Sequence, residues 1–363
     1  MRRHALHASL LIVLLGMVTL ADLAEPTEGG PAQPPQPPQA SMAAVGDLYF
    51  GGGLGERMLK FGPDYPWLGT IQVLASAEIR SGNLEAPLSL KGKVYTPKKY
   101  TLHADSRTVA ALVSGGFNVV SLANNHAMDF GPLALEETIS LLDKYGIAHA
   151  GAGRNLASGR IPAILTANGL RFAFLSYSLT YPTEFYAGAT RPGTVPGYES
   201  YLRADIPAAR KQADVVIVSF HWSAELLHYP KDYQRKLGRL SIDLGAQMVI
   251  GHHPHVLQGL EVYHGGLIAY SLGNFAFGSY STSSRDSAIL VTRFDARGPL
   301  AAWLYPVNVN NHEVAFQTRL RTGADAVRVL NDLRRYSASF GTVIEADGDR
   351  GVIVVREAET ESR

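Results

Sequence analysis

The chain has 363 residues, a formal net charge of +1, 46% hydrophobic residues and no cysteine, a composition typical of a globular protein with one large core or two smaller ones. Balanced charge without a long basic run argues against nucleic acid as a partner. The lack of cysteine excludes disulfides, thiolate metal ligands, a cysteine nucleophile and a cysteine-anchored lipoprotein, and it is compatible with an oxidising compartment.

Residues 1–24 have the pattern of an export segment. Arg2 and Arg3 precede a largely apolar run at 9–21, which ends in small residues. We interpret the segment as a signal peptide cleaved near Ala21 or Ala24, or as a retained membrane anchor; the run is short for a membrane span, which favours cleavage. A buried core helix is the alternative. The protein is therefore expected to be exported, and periplasmic or extracytoplasmic.

A proline-rich stretch at 25–41 follows and is predicted to be an extended linker, because it has almost nothing to bury. The folded domain is expected to cover 42–345, with a C-terminal tail at 346–363.

From residue 42, short apolar runs alternate with helical patterns, which predicts an α/β fold built in layers. Several runs are apolar throughout, as expected for strands covered on both faces. The predicted strands are 42–46, 118–123, 172–178, 214–221, 247–250 and 267–272. The predicted helices are 106–114, 132–145, 233–244 and 324–337.

Polar clusters follow the ends of these apolar runs. The clusters are Asp47 after AAVG, 124–126 after VVSLA, His221 after VVIVSF and 252–255 after QMVIG. In layered α/β folds the carboxyl ends of strands converge on one edge of the sheet, where ligands bind. We therefore expect these four segments to meet in space.

The segment GHHPHVLQG, 251–259, places three histidines within five positions. His253 and His255 flank a proline that stiffens the backbone, so both imidazoles can be aimed at one metal ion. His252 could replace His253 as the ligand. The alternative is a surface histidine cluster that binds nothing.

In VSLANNHAMDFG, 120–131, Asn125 offers a neutral oxygen ligand and His126 can give a proton to a leaving oxygen. Asp129 can accept a hydrogen bond from that imidazole and orient it. The alternative is a polar turn in which the asparagines favour left-handed backbone.

Asp47, Glu85 and His221 are weak signals individually, since Gly-Asp turns and lone core histidines are common. Together with the histidine pair and Asn125 they supply enough oxygen and nitrogen ligands for two divalent ions that share a carboxylate. A mixed donor set of this kind suits Mn, Fe or Zn. The sequence has no Gly-x-Ser-x-Gly, Walker-type or His-Glu-x-x-His motif, and GGGLG at 51–55 is expected to be a flexible loop.

The motifs resemble those of a known family. They are, in order, VGD at 45–47, NLEAPLS at 83–89, VSLANNHAMDFG at 120–131, HAGAG at 149–153, SFHW at 219–222, the segment 245–278 and FGTVI at 340–344. Over about residues 41–345 the chain resembles the bacterial capsule-synthesis CapA family, also called poly-γ-glutamate synthesis proteins. That family is similar to the calcineurin-like metallophosphoesterases, which implies a four-layer α/β/β/α sandwich.

The resemblance also implies roles for individual residues. The metal ligands would be Asp47, Glu85 as the bridging carboxylate, Asn125, His221, His253 and His255. His126 would give a proton to the leaving group. The chain departs from the family pattern at two positions. Tyr49 occupies the position of a ligand histidine, and Glu85 occupies the position of an aspartate.

Two functions are expected, the first from the constellation of candidate ligands and the second from this resemblance and the export segment. The first is an exported hydrolase that uses divalent metal ions on a phosphoester or on a bond in an envelope polymer. The second is a non-catalytic accessory role in assembling or exporting an anionic capsule polymer such as poly-γ-glutamate, within a membrane-bound synthesis complex. A partner-binding module is a third interpretation.

Overall fold

Two β-sheets form the centre of the fold in the computed structural model, which describes residues 37–356. The predicted export segment, most of the predicted linker and residues 357–363 lie outside the described residues. The strands are β1 (Ala40–Leu48), β2 (Ile79–Leu84), β3 (Val119–Ser121), β4 (Ala148–Ala150), β5 (Ala152–Gly153), β6 (Ala163–Ala167), β7 (Leu170–Ser178), β8 (Gly193–Thr194), β9 (Val215–His221), β10 (Met248–His252), β11 (Leu260–Tyr263), β12 (Gly266–Ala269), β13 (Asp286–Asp295), β14 (Gly298–Asn308), β15 (Arg319–Leu320), β16 (Glu345–Asp347) and β17 (Arg350–Val354).

The first sheet has nine strands in the order β16-β17-β14-β13-β1-β2-β3-β4, with β15 paired to β14. Strands β1 to β4 run parallel, and β13 joins β1 antiparallel. The second sheet has six strands in the order β11-β12-β10-β9-β7-β6, of which the four central strands are parallel. Strands β5 and β8 form a separate two-stranded pair.

Helices cover the outer faces of both sheets, and the last long helix packs against the apolar core between the sheets. The α-helices are α1 (Gly52–Phe61), α2 (Ile71–Leu74), α3 (Val109–Ser114), α4 (Pro132–Lys144), α5 (Leu156–Gly159), α6 (Glu199–Arg210), α7 (Asp232–Asp243), α8 (Asn311–Val314) and α9 (Gly323–Ser337). Short 3-10 turns lie at Tyr65–Trp67, Ser106–Thr108, Thr183–Phe185, Thr282–Ser284 and Ala338–Phe340. Within residues 37–356, none of these helices has the length and apolar character needed to cross a bilayer.

Side chains that alternate along the strands divide the interior into three apolar layers. In β9, Val215 and Ile217 belong to the core between the sheets, whereas Val216 and Val218 pack under α6 and α7. The outer face of the nine-stranded sheet packs against α1, α3 and α4. Because both faces of these strands are buried, their sequences are apolar throughout. The predicted four-layer α/β/β/α sandwich is confirmed.

Each of the six predicted strands and four predicted helices overlaps an element of the same type. Three expectations are corrected. Residues 52–61 form α1 instead of a flexible loop, since Leu54 and Met58 pack into the core. Strand β17 pairs with β14, so the sheet continues beyond residue 345, where the domain was expected to end. Strand β1 begins at Ala40, inside the predicted linker.

Candidate metal centre

The carboxyl ends of β1, β2 and β3 in the first sheet meet those of β9 and β10 in the second. Contacts across this end join Asn125 to His221, whose Oδ1 and Nε2 lie 2.8 Å apart. Asp47 Oδ2 lies 3.1 Å from His255 Nδ1. The structure thus brings together the six predicted metal ligands, which are Asp47, Glu85, Asn125, His221, His253 and His255.

Asp47 is held in place by a close approach of two backbones. Its amide donates to Gly273 O at 3.0 Å, and a Cβ on the preceding Gly46 would lie 1.8 Å from the same oxygen. Only glycine fits at position 46 without a shift of one segment. Burial acts to raise the pKa of the Asp47 carboxyl, but the nearby His252 and His255 outweigh it and hold the pKa well below its usual range.

Glu85 lies at the centre of the cluster and is completely buried. Its Oε1 is 3.5 Å from His221 Nε2 and 3.7 Å from His255 Nε2, yet it accepts no hydrogen bond. Burial and the charge of Asp47 raise the pKa of Glu85 well above its usual value. A buried carboxylate oxygen between two imidazoles is suited to a cation that all of them can share.

The histidine loop follows β10 and has unusual backbone angles. His253 and His255 have φ angles of 92° and 57°, in the left-handed region that non-glycine residues rarely adopt. Burial lowers the pKa of His253 to about 3. Burial acts in the same direction on His255, but Glu85 and Asp47 outweigh it and raise the pKa of His255 to about 10. The backbone conformation therefore places an imidazole with a lowered pKa and an imidazole with a raised pKa at the same site.

Two sets of donor atoms share Glu85, and the atoms of each set lie within 4.8 Å of one another. One set is Glu85, His221 and His253, and the other is Asp47, Glu85 and His255. Glu85 Oε1 and the Nδ1 atoms of His252 and His253 are buried without a hydrogen-bond partner. Unpartnered buried polar atoms are rare, and oxygen and imidazole donors together suit transition metals, so the residues fit divalent cations.

His126 lies beside this cluster and is tied to two charged residues. Its Nδ1 is 2.7 Å from Asp129 Oδ2, the contact expected from the sequence, and 3.0 Å from Lys98 Nζ. Lys98 also contacts Asp129 Oδ1 at 2.5 Å and the backbone oxygen of Asn125. Burial lowers the pKa of His126, although Asp129 acts in the opposite direction. The imidazole is thus held in one orientation next to Asn125.

Sequence reasoning missed three residues that support the site. Asn83 donates to Asp47 Oδ1 at 2.8 Å, and Asn274 Oδ1 lies 2.8 Å from His255 Nδ1. Asn83 lies in the motif NLEAPLS, and Asn274 lies in the segment 245–278. Both segments were singled out in the sequence, so a search of these segments for residues that contact the ligands would have found them. Lys98 lies in a segment without a recognisable pattern.

Tyr49 lies near the second donor set, beside an aromatic ring. Its ring centroid is 5.5 Å from that of Phe277, which is 5.2 Å from the His255 ring. Burial and the charge of Asp129 raise the pKa of Tyr49. A tyrosine therefore lies near this donor set, at the position where the family pattern places a histidine.

The family model described as bacterial capsule synthesis protein PGA_cap matches residues 41–279. The chain belongs to the bacterial capsule synthesis protein family. This family member is 32% identical over 276 residues to the capsule biosynthesis protein CapA of Bacillus anthracis, which covers 74% of this chain and 67% of that protein. It is also 32% identical over 272 residues to the PGA biosynthesis protein CapA of Bacillus subtilis (strain 168), covering 74% and 72%. The resemblance expected from the motifs is confirmed.

Among solved structures, this family member is similar to the NAD nucleotidase NadN of Haemophilus influenzae, with 12% identity and a TM-score of 0.44. The match covers 82% of this chain and 62% of that one, so the chain spans less than two thirds of the nucleotidase. The four-layer architecture is established by the strand order and the apolar cores of this chain itself.

Proposed function

We propose that this chain is an exported, metal-dependent hydrolase that acts on a phosphoester or on a polymer bond in the bacterial cell envelope. The observation that carries the proposal is the pair of donor sets that share the buried Glu85. A shared carboxylate with imidazole and amide donors on either side is the arrangement expected for two adjacent divalent ions.

Asp47, Glu85 and His255 would hold one ion, and Glu85, Asn125, His221 and His253 the other. When bound, two such ions polarise the substrate oxygen and lower the pKa of the attacking water. The mixed donor set favours Mn, Fe or Zn over Ca or Mg.

His126 is the residue proposed to give a proton to the leaving oxygen. Asp129 accepts at Nδ1, which stabilises the protonated imidazole and leaves the other ring nitrogen to face the substrate. Lys98 contacts both residues and so fixes their relative position.

The site of action is proposed from the family and from the N-terminal sequence. The relatives from the two Bacillus species are named for capsule or PGA biosynthesis, which makes an anionic envelope polymer, or a phosphoester linked to one, the proposed substrate. Residues 1–24 would direct the protein out of the cytoplasm, with or without cleavage.

The test uses the full chain purified with its bound metal. Metal content is measured by mass spectrometry, and hydrolysis of an aryl phosphate and of poly-γ-glutamate is assayed with wild type, His126→Ala and His253→Ala. His253→Ala is expected to lose metal and activity together, whereas His126→Ala is expected to keep the metal and lose activity. Hydrolysis that persists in both variants would remove the proposal.

A non-catalytic accessory role is the second candidate, and Tyr49 favours it. Without a histidine at this position, the set of Asp47, Glu85 and His255 has one imidazole and binds an ion less tightly. Deletion of the gene in the source bacterium, followed by complementation with His126→Ala, separates the two roles. Restored polymer at normal protein levels supports the accessory role, and failure to restore it supports the hydrolase.

A further inference from the structure

A cleft of about 530 Å³ opens beside His253, and the proposed hydrolysis leaves the rest of its wall without a role. The cleft lies between the segment after β7 and the segment after β9. Its lining residues are Leu179, Thr180, Tyr181, Ser223, Ala224, Glu225, Tyr233 and His253. Because His253 belongs to a donor set, a ligand in this cleft would lie next to the metal centre.

The wall of the cleft carries an unpaired negative charge. Glu225 is exposed and makes no hydrogen bond or ion pair with any residue between 37 and 356, and no Lys or Arg lines the cleft. Glu225 lines the same cleft as His253, which belongs to a donor set. Among the residues that line the cleft, the charge of Glu225 favours a cation over an anion.

Aromatic rings and hydroxyl groups complete the wall. Tyr181 is 84% exposed and Tyr233 is 37% exposed, and in the described part of the chain no Lys or Arg lies over either ring. Ser223 Oγ is buried without a hydrogen-bond partner. The Tyr233 hydroxyl accepts from the Ser223 amide at 2.6 Å, which fixes this ring at the cleft.

We infer that this cleft binds an organic ammonium group. A carboxylate and tyrosine faces are groups that bind a primary ammonium, through an ion pair and cation–π attraction. If the proposed function holds, on which this step rests, the substrate carries an amine beside the bond that is cleaved. For an anionic polymer, its amino-terminal unit fits the cleft, whereas internal units that carry only carboxylates do not.

The test uses two probes of nearly equal size that differ in charge, n-butylammonium and n-butanol. Ligand-observed NMR titrations measure the Kd of each probe for the full chain and for Glu225→Gln. We expect wild type to bind n-butylammonium about 5-fold more tightly than n-butanol, and Glu225→Gln to remove that preference. Glu56→Gln, which changes an exposed glutamate on α1 that does not line the cleft, is the matched control and should keep it.

Equal binding of the two probes by wild type, or an unchanged preference in Glu225→Gln, would overturn the inference. Neither probe contains a phosphate or a scissile bond, so the result does not depend on hydrolysis. A charge preference together with an absence of hydrolysis would refute the proposed function and leave the cleft assignment standing. Hydrolysis without a charge preference would support the proposed function and refute the cleft assignment.

Discussion

Asn125 Oδ1 and His221 Nε2 lie 2.8 Å apart. Asn125 follows β3 in the nine-stranded sheet, whereas His221 ends β9 in the six-stranded sheet. Their contact shows that the candidate metal centre is shared between the two sheets.

Glu85→Gln is expected to abolish metal-dependent stabilisation. Glutamine keeps the shape but cannot share a negative charge between two cations, so both donor sets are weakened. A ligand present at 100 times its Kd stabilises a protein by about 2.7 kcal/mol, and the variant should lose this gain. Thermal unfolding with and without added Mn²⁺ or Zn²⁺ measures the difference. Unfolding of the metal-free variant and of metal-free wild type is measured in parallel, so that the effect of the substitution on the fold is separated from the loss of bound metal.

His253→Asn and His252→Asn should differ in their effect on bound metal. His253 belongs to a donor set with Glu85 and His221, whereas His252 Nδ1 lies 3.4 Å from Asp47 Oδ1 and belongs to neither set. We expect the metal content per chain to fall by about half or more in His253→Asn and to change less in His252→Asn. Mass spectrometry measures the metal content of the two purified variants. A larger loss of metal in His252→Asn than in His253→Asn would make His252 the ligand.

Asp129→Asn should lower kcat about 10- to 100-fold while the metal content stays at the wild-type level. Asparagine keeps the size of the side chain but no longer stabilises a protonated His126 through Nδ1. The hydrolysis assay and metal analysis are carried out on the same preparation. A loss of metal equal to the loss of activity would show that Asp129 supports the ligands and does not act through His126.

Gly46→Ala should destabilise the fold by on the order of 3 kcal/mol, because its Cβ would lie 1.8 Å from Gly273 O. Gly278→Ala is the matched control, since a Cβ there meets no atom within 4 Å. Urea unfolding gives the free energy of unfolding of both variants. A similar, small change in the two would mean that the segment at Gly273 moves aside without cost.

Glu261→Gln should destabilise the protein by about 2 to 3 kcal/mol without changing its metal content. This buried glutamate accepts from Arg239 Nε and Nη2 at 2.8 and 2.6 Å and from the Tyr270 hydroxyl at 2.6 Å. Glu261, which follows the histidine pair in the sequence, therefore has a structural role. Glu199→Gln, which weakens an exposed pair with Arg203, is the control and should leave stability unchanged within error.

Strands with two buried faces could be predicted because their sequences are apolar throughout, as in β9. Strand β14 was missed since Pro299 and Pro306 interrupt its apolar pattern, and proline argues against a central strand. Its partner β13 was missed as well, because its apolar residues lie between polar ones at both ends. Sheet pairing, which no local pattern records, stabilises both strands.

The candidate site was predictable to the extent that its residues follow strand ends. Asp47, Glu85, His221 and His253 each lie at or just after the end of a strand, where ligands gather in layered folds. Asn83 lies inside β2, in the motif NLEAPLS, and was missed because only Glu85 of that motif was considered as a ligand. The orientation of Lys98 depends on the packing of the long segment between β2 and α3, which sequence periodicity does not record.

Glu85 and Asn125 follow strands of the first sheet, whereas His221 and His253 lie at or just after the ends of strands of the second. A cation bound by these four residues would act as a cross-link between the two halves of the sandwich, in addition to their apolar core and polar contacts. Loss of the ion would then loosen the layers first at this end, so the metal-free chain should be cut by an added protease sooner than the metal-bound chain.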